Sequence, residues 1–160
     1  MTTEEKIFEA AKIVFQKKGF AGARMQEIAD EAGINKAMLH YCFKNKQSLF
    51  EAVFMKAFSQ LAPQVNLIFS SNESIFNKIR QFTHSYITFV NEHPFLPQFI
   101  IQEMNNNPEF VIQFLNNANR PNPSLMIAQI EKEIAAGIIK PMPHKQLLMD
   151  IFSLTVFPFA

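Results

Sequence analysis

Apolar residues recur every three to four positions along most of the chain, the spacing of helices that bury one face. The alternation of apolar and polar residues typical of strands is almost absent. The pattern therefore predicts an all-α protein. The helices predicted in this way cover about residues 3–18, 25–32, 36–41, 46–62, 74–93, 94–104, 109–115, 124–136 and 144–157.

Residues that start or stop helices fall between these stretches. Gly19 and Gly33 follow the first and second helices, where a left-handed glycine commonly ends a helix. Asn35 and Asn45 precede the third and fourth helices, and an asparagine side chain caps such a start well. We expect Pro63 to stop or kink the fourth helix.

The end of the chain is unusually apolar. Residues 147–157 (LLMDIFSLTVF) are apolar nearly all round, which is typical of a helix buried on more than one side. Before them, residues 116–123 (NNANRPNP) read as a loop. The chain stops at residues 158–160 without a polar ending, so we expect the natural protein to continue.

Composition excludes several classes of function. Apolar residues make up 48% of the chain and the net charge is +1, so a sizeable core is expected and a polycation is excluded. Four glycines cannot supply a phosphate-binding loop, and the single Cys42 cannot build a zinc site. We therefore expect no metal, no cofactor and no catalytic site. No apolar run approaches the ~20 residues of a membrane span, and we expect a cytoplasmic protein.

Residues 24–43 (RMQEIADEAGINKAMLHYCF) have the pattern of a helix-turn-helix. Two short helices flank Gly33, which suits a turn with positive φ, and Ala29 is small enough for the helices to cross closely. In this motif the second helix enters the major groove of DNA. Taken alone, the pattern also fits a plain helical hairpin.

The motifs around this stretch carry more information. I-x-x-A-x-x-x-F begins at Ile7, K-G-F at Lys18, and M-x-x-I-A-x-x-A-G-I at Met25, and they are followed by Leu39, Tyr41, Phe43, Lys46, Leu49 and Phe50. This run resembles the N-terminal domain of the TetR family of bacterial transcriptional repressors. The resemblance implies a DNA-binding domain over 1–48 and a helical ligand-binding and dimerisation domain over 49–160, incomplete at its C-terminus.

The resemblance also assigns residues to DNA. Arg24 and Lys46 are expected at phosphates, and a cation at the start of the fourth helix is otherwise misplaced in the helix dipole. Lys36 is the best candidate to read a guanine, while Ala37 and Met38 offer apolar contact. The predicted DNA-binding residues are Arg24, Gln26, Asn35, Lys36, Ala37, Met38, His40, Tyr41, Lys44 and Lys46.

The second domain is rich in phenylalanine, with thirteen of the eighteen Phe after residue 50. This excess favours an adaptable apolar cavity, although a filled core is the alternative for each ring. The predicted pocket residues are Phe58, Leu61, Tyr86, Phe89, Phe99, Glu103, Met104, Phe110 and Phe114. The last helix is expected to pair in a homodimer through Leu147, Ile151, Leu154 and Phe157.

Together these features predict a homodimeric transcriptional repressor that a small apolar or amphipathic molecule releases from a near-palindromic operator. Two other classes remain open on sequence grounds. One is a helical adaptor that binds proteins through its Phe-rich body. The other is a helical hydrolase, for which only Asp30 and Asp150 are available as aspartates.

Overall fold

The computed structural model describes residues 1–116 and 121–159, without the side chain of Leu115. Within these ranges the chain is helical and has no strand, which confirms the predicted all-α class. Part of the predicted loop at 116–123 lies outside the described residues. The helices are α1 (Thr3–Gly22), α2 (Met25–Glu31), α3 (Lys36–Cys42), α4 (Lys46–Ser70), α5 (Ile75–Glu92), α6 (Leu96–Asn106), α7 (Pro108–Asn116), α8 (Ser124–Ala135) and α9 (His144–Val156), with a 3₁₀ turn at Phe157–Phe159.

Helices α1 to α3 form a compact head. The head begins with a capping box, in which the Glu5 N–H donates to Thr2 Oγ1 (3.2 Å) and the Thr2 N–H to the Glu5 carboxylate (2.7 Å). Gly19 has a φ of +65°, so the regular part of α1 ends near the predicted residue and one further turn reaches Gly22. Asn35 and Asn45 cap α3 and α4 as predicted.

Helix α4 runs from the head into the body. The expectation that Pro63 stops this helix is wrong, because α4 continues to Ser70. A proline inside a helix loses one backbone hydrogen bond and crowds the preceding turn. The residues beyond it offset this loss: Val65 and Phe69 are at most 1% exposed, packed in the core that α4 shares with α5 and α8.

Head and body share one continuous hydrophobic core. Helices α5 and α8 pack against α4, and α9 lies against α5 and α8. Helices α6 and α7 pack against each other, and Phe99 and Phe110 on them contact Phe54 of α4. Phe50, on the first turns of α4, touches Phe15 of the head (ring centroids 4.4 Å apart) and Phe99 of α6 (4.0 Å). These rings therefore join the head to the body by direct contact. Within the described ranges, no helix has both the length and the apolar character to cross a membrane.

Candidate nucleic-acid interface

The turn between α2 and α3 fixes their crossing. Gly33 adopts a φ of +65°, and the Ile34 N–H donates to the carbonyl of Ala29 (3.0 Å). Ile28, Ala29 and Leu39 are fully buried between the helices. The Asn35 side chain then accepts from the Met38 N–H (2.7 Å) and starts α3. The two helices therefore form a rigid helix-turn-helix, with the remaining face of α3 turned to solvent.

That outward face carries the predicted DNA-binding residues Lys36, Ala37, Met38, His40 and Tyr41. Tyr41 is 88% exposed and Met38 is 44% exposed, which is unusual for side chains of this size. A flat, exposed face on a short helix fits the width of a major groove. Nine of the ten predicted residues are exposed, namely Arg24, Gln26, Asn35, Lys36, Ala37, Met38, His40, Tyr41 and Lys44.

The charges around the helix-turn-helix favour the binding of a polyanion. Across the described part of the chain, Arg24, Lys36 and Lys44 form no salt bridge. Glu27 is instead paired with Lys18 (2.8 Å), and this hydrogen-bonded ammonium holds the pKa of the Glu27 carboxyl below its usual value. These three cations are thus not engaged in salt bridges within the described residues, whereas Glu27 of α2 is paired with Lys18 of α1.

The ammonium of Lys46, which the dipole of α4 disfavours, has partners within the protein. Its ammonium donates to the carbonyls of Ala21 (3.2 Å) and Ala23 (3.0 Å) and lies 4.6 Å from the centre of the Phe20 ring. The charge that seemed to need a phosphate is therefore satisfied within the protein. We correct that argument: Lys46 ties the start of α4 to the segment that leads into α2, and so positions the head.

His40 faces solvent with one ring nitrogen already engaged. Nδ1 lies 3.2 Å from the carbonyl oxygen of Lys44. When Nδ1–H donates to that carbonyl, neutral Nε2 is an acceptor and cannot donate to a phosphate. A phosphate contact from His40 consequently requires the protonated ring.

Most of the predicted pocket residues lie together, and their rings are in contact. Phe58 contacts Phe89 (5.0 Å between centroids) and Phe114 (4.9 Å), and Phe99 contacts Phe110 (5.9 Å). Leu61 is 4% exposed and Tyr86 is 6% exposed, and burial raises the pKa of the Tyr86 hydroxyl to about 12. These described residues therefore form a packed aromatic cluster.

Two further pocket predictions have different outcomes. Glu103 is 5% exposed and accepts a hydrogen bond from Gln47 (2.9 Å), so it joins α6 to the first turn of α4. Met104 is 61% exposed, which corrects its assignment to the interior. The helical turn explains the difference, because successive residues of α6 lie about 100° apart around its axis.

The predicted dimer residues divide between two faces of α9. Leu154 is 79% exposed and Phe157 is 68% exposed, whereas Leu147 is half-buried. Ile151 is 8% exposed and packs into the core of its own chain, so its assignment to an interface is wrong. Met149, which we did not assign, is 61% exposed and adds to the outward apolar face.

Sequence reasoning missed the polar links that join the first turns of α4 to α6 and to the segment before α7. Gln47 donates to both Glu51 (2.9 Å) and Glu103, and Asn107 donates to Glu51 (3.0 Å). Only the spacing of Gln47 and Glu51, four residues apart on one helix, was a usable signal. In the ranges that the structure covers, no group of three or more His, Cys, Asp or Glu side chains is placed to hold a metal ion.

Comparison with known proteins agrees with this geometry. Residues 7–53 match the family "Bacterial regulatory proteins, tetR family". The chain is 28% identical over 106 residues to the probable HTH-type transcriptional regulator YttP of Bacillus subtilis, covering 65% of this chain and 51% of that protein. It is 43% identical over 63 residues to the HTH-type transcriptional repressor SCO4008 of Streptomyces coelicolor, covering 39% and 33%. The chain thus spans about half or less of these relatives.

The similarity in fold extends over the whole chain. The crystal structure of the TetR family regulator PfmR from Thermus thermophilus superposes with a TM-score of 0.77, at 17% identity, over 96% of this chain and 84% of that one. The matched segment contains the helix-turn-helix, and the body has the same helical architecture. This family consists of regulatory proteins and not of enzymes, which removes the hydrolase alternative. The chain belongs to the TetR family of bacterial regulatory proteins.

Proposed function

We propose that this protein is a DNA-binding transcriptional repressor that acts as a homodimer in the cytoplasm. The observation that carries the proposal is the outward face of α3. It is built on a fully buried support and flanked by Arg24, Lys36 and Lys44, none of which forms a salt bridge among the described residues. Such a face offers side chains for base edges and cations for phosphates. The residues for this role are those assigned from the sequence, with Lys46 as a positioning residue.

The dimer is proposed to pair through α9. Met149 and Leu154 of α9 and Phe157 just after it are exposed apolar side chains. Pairing two such faces about a twofold axis buries them and places two heads on one duplex. Recognition helices of such dimers reach successive major grooves about 34–36 Å apart, so the expected operator is nearly palindromic.

Release is proposed to begin in the aromatic cluster. A small apolar or amphipathic molecule that enters it has to separate Phe58 from Phe89 or Phe114, whose rings are in contact. Any shift of α6 then acts on Glu103, which holds Gln47 beside Lys46. This route connects the cluster to the segment that positions α2. By linkage, the effector and DNA then weaken each other's binding equally.

The test is a binding assay with the DNA that flanks the protein's own gene, against a scrambled duplex of equal length. We expect binding to the genomic fragment that survives about 150 mM salt, and weaker binding to the scrambled control. Equal weak binding to both at low salt, lost together as salt rises, refutes a sequence-specific regulator. Pull-down of a specific protein with no DNA binding at any salt favours the adaptor instead.

A further inference from the structure

His93 lies at the point where the head meets the body. It follows the last residue of α5, and only 7% of its surface is exposed. A cavity of about 70 Å³ borders its ring, lined by Phe8 and Lys12 of α1 and by Ala57 and Gln60 of α4. The residue that caps α5 therefore lines one cavity with side chains of the first helix of the DNA-binding head.

One nitrogen of the His93 ring has no partner. Nδ1 is inaccessible to solvent and has no hydrogen bond to any described residue. The ring is held between Phe89 (centroids 5.0 Å apart) and Phe95 (6.4 Å), and its backbone N–H donates to the Phe89 carbonyl (3.0 Å). Neutral imidazole can present Nδ1 as a bare acceptor here. Imidazolium carries N–H on both nitrogens and has to bury an unpaired donor at this position.

The charges that face the ring come from three helices. Helix α1 presents Glu9 and Lys12, α4 presents Lys56, and α5 presents Glu92. Lys56 is held over the ring of Phe8, 4.3 Å from its centre, and the neighbour at the start of α6 is the uncharged Phe95. Burial and the nearby charge of Lys12 lower the pKa of His93, against the smaller opposing effects of Glu92 and Glu9.

We infer that His93 gives this regulator a second input, acidity: the neutral ring holds α1 against α4 and α5, and uptake of a proton loosens this contact and lowers affinity for DNA. The effect on DNA rests on the function proposed above, whereas the position of His93 beside the cavity that α1 also lines does not. In the described structure the neutral form of His93 is favoured, because Nδ1 has no partner and the ring is packed between Phe89 and Phe95 where the head meets the body.

The sign follows from linkage. In an arrangement where the ring reaches water, the pKa of His93 returns toward about 6.5. A proton therefore binds the loosened state better than the packed state, whose pKa is lower. The state in which the His93 ring is packed is fully favoured above pH ~6.5. Its population decreases as the pH falls toward the lowered pKa that His93 has in this state.

The first experiment reads the junction without DNA. In the full chain, the NMR titration of the His93 ring is expected to have a midpoint below the ordinary histidine value of about 6.5. Lys12→Gln is expected to raise the His93 midpoint and Glu92→Gln to lower it. Backbone signals of Phe8 and nearby α1 residues are expected to shift with the same midpoint. A His93 midpoint at or above about 6.5, or α1 signals that ignore the titration, overturns the inference.

The second experiment measures affinity for one fixed duplex between pH 7.5 and 5.5. His40 is kept in every protein, so the contribution of His93 is the difference in acid sensitivity between the His93 protein and its His93→Phe variant. The His93 form is expected to lose affinity several-fold more than the variant on acidification, with one proton per protomer limiting this loss to about tenfold per pH unit for each protomer. His93→Phe, whose ring suits the Phe89–Phe95 stack, is expected to lack this loss, and His93→Leu serves if the first variant does not fold.

The outcomes separate the two proposals. Equal acid sensitivity in the His93 and His93→Phe proteins overturns the acid input. Absence of DNA binding at every pH, with His93 and α1 titrating together, refutes the proposed function and supports the proton-linked junction.

Discussion

Replacing Lys46 by methionine separates positioning of the head from contact with DNA. Methionine keeps the unbranched stem but removes the ammonium that donates to Ala21 and Ala23 and lies over Phe20. A hydrogen bond to a charged group contributes about 1.5 kcal/mol at the low end of its range, and an exposed cation–π contact about 0.5 kcal/mol. Water can replace part of this at the exposed Ala21, so we expect a loss of about 2 kcal/mol in the free energy of unfolding.

Urea denaturation followed by circular dichroism measures this loss, at one fixed protein concentration because a dimer's stability depends on it. Lys44→Met is the matched control, since Lys44 is exposed and its side chain has no salt bridge among the described residues. Its unfolding free energy is expected to change by less than about 0.5 kcal/mol.

The salt dependence of DNA affinity distinguishes a residue that contacts a phosphate from one that positions the head. Loss of one phosphate contact per head lowers the slope of log K against log salt by about 0.9, hence by about 1.8 for two heads. Arg24→Ala is expected to show this change and Lys46→Met to show none. A slope reduced in Lys46→Met as much as in Arg24→Ala, with stability unchanged, refutes the positioning role and restores the phosphate contact.

Three further predictions concern the base contact, the dimer and the turn. Lys36→Ala is expected to relax preference at one position of each half-site, by about 1–3 kcal/mol per contact, in a competition assay with singly substituted duplexes; a uniform loss across sequences makes Lys36 a phosphate residue. Leu154→Asp and Phe157→Asp are expected to give folded monomers, measured by ultracentrifugation. Ile151→Asp is expected to unfold the chain because it buries a charge. Dimers that persist in both surface variants place the interface elsewhere. Gly33→Ala is expected to cost about 1–2 kcal/mol of unfolding free energy, because its φ of +65° is strained for alanine, and an unchanged stability contradicts the turn geometry.

Local signals in the sequence predicted the head well. The caps Asn35 and Asn45 and the turn residue Gly33 act on backbone groups within a few positions of themselves, so their effects can be inferred from neighbours. Tyr41, which is exposed, was assigned to DNA by the resemblance to the TetR family and not by such a local signal.

Contacts between distant parts of the chain were not predictable in this way. Lys46 reaches Ala23, which lies 23 residues earlier, and no periodic pattern records such a contact. Pro63 was judged by its local cost, although the packing of Phe69 beyond it holds the helix together. The phenylalanine count indicated that rings gather in the body, but their packing into a cluster depends on the angles at which four helices meet.

The shared position of Phe50 has a practical consequence for chimaeric regulators. Phe50 is fully buried and contacts Phe15 and Phe20 of the head as well as Phe99 of the body. A head excised after residue 48 would leave two of its own rings uncovered, and a foreign body joined there would have to rebuild the same aromatic contact. A junction placed beyond Phe54 carries the covering rings along with the head. Exchange of reading heads between members of such a family is therefore governed by the first turns of α4, which carry the ring shared by head and body.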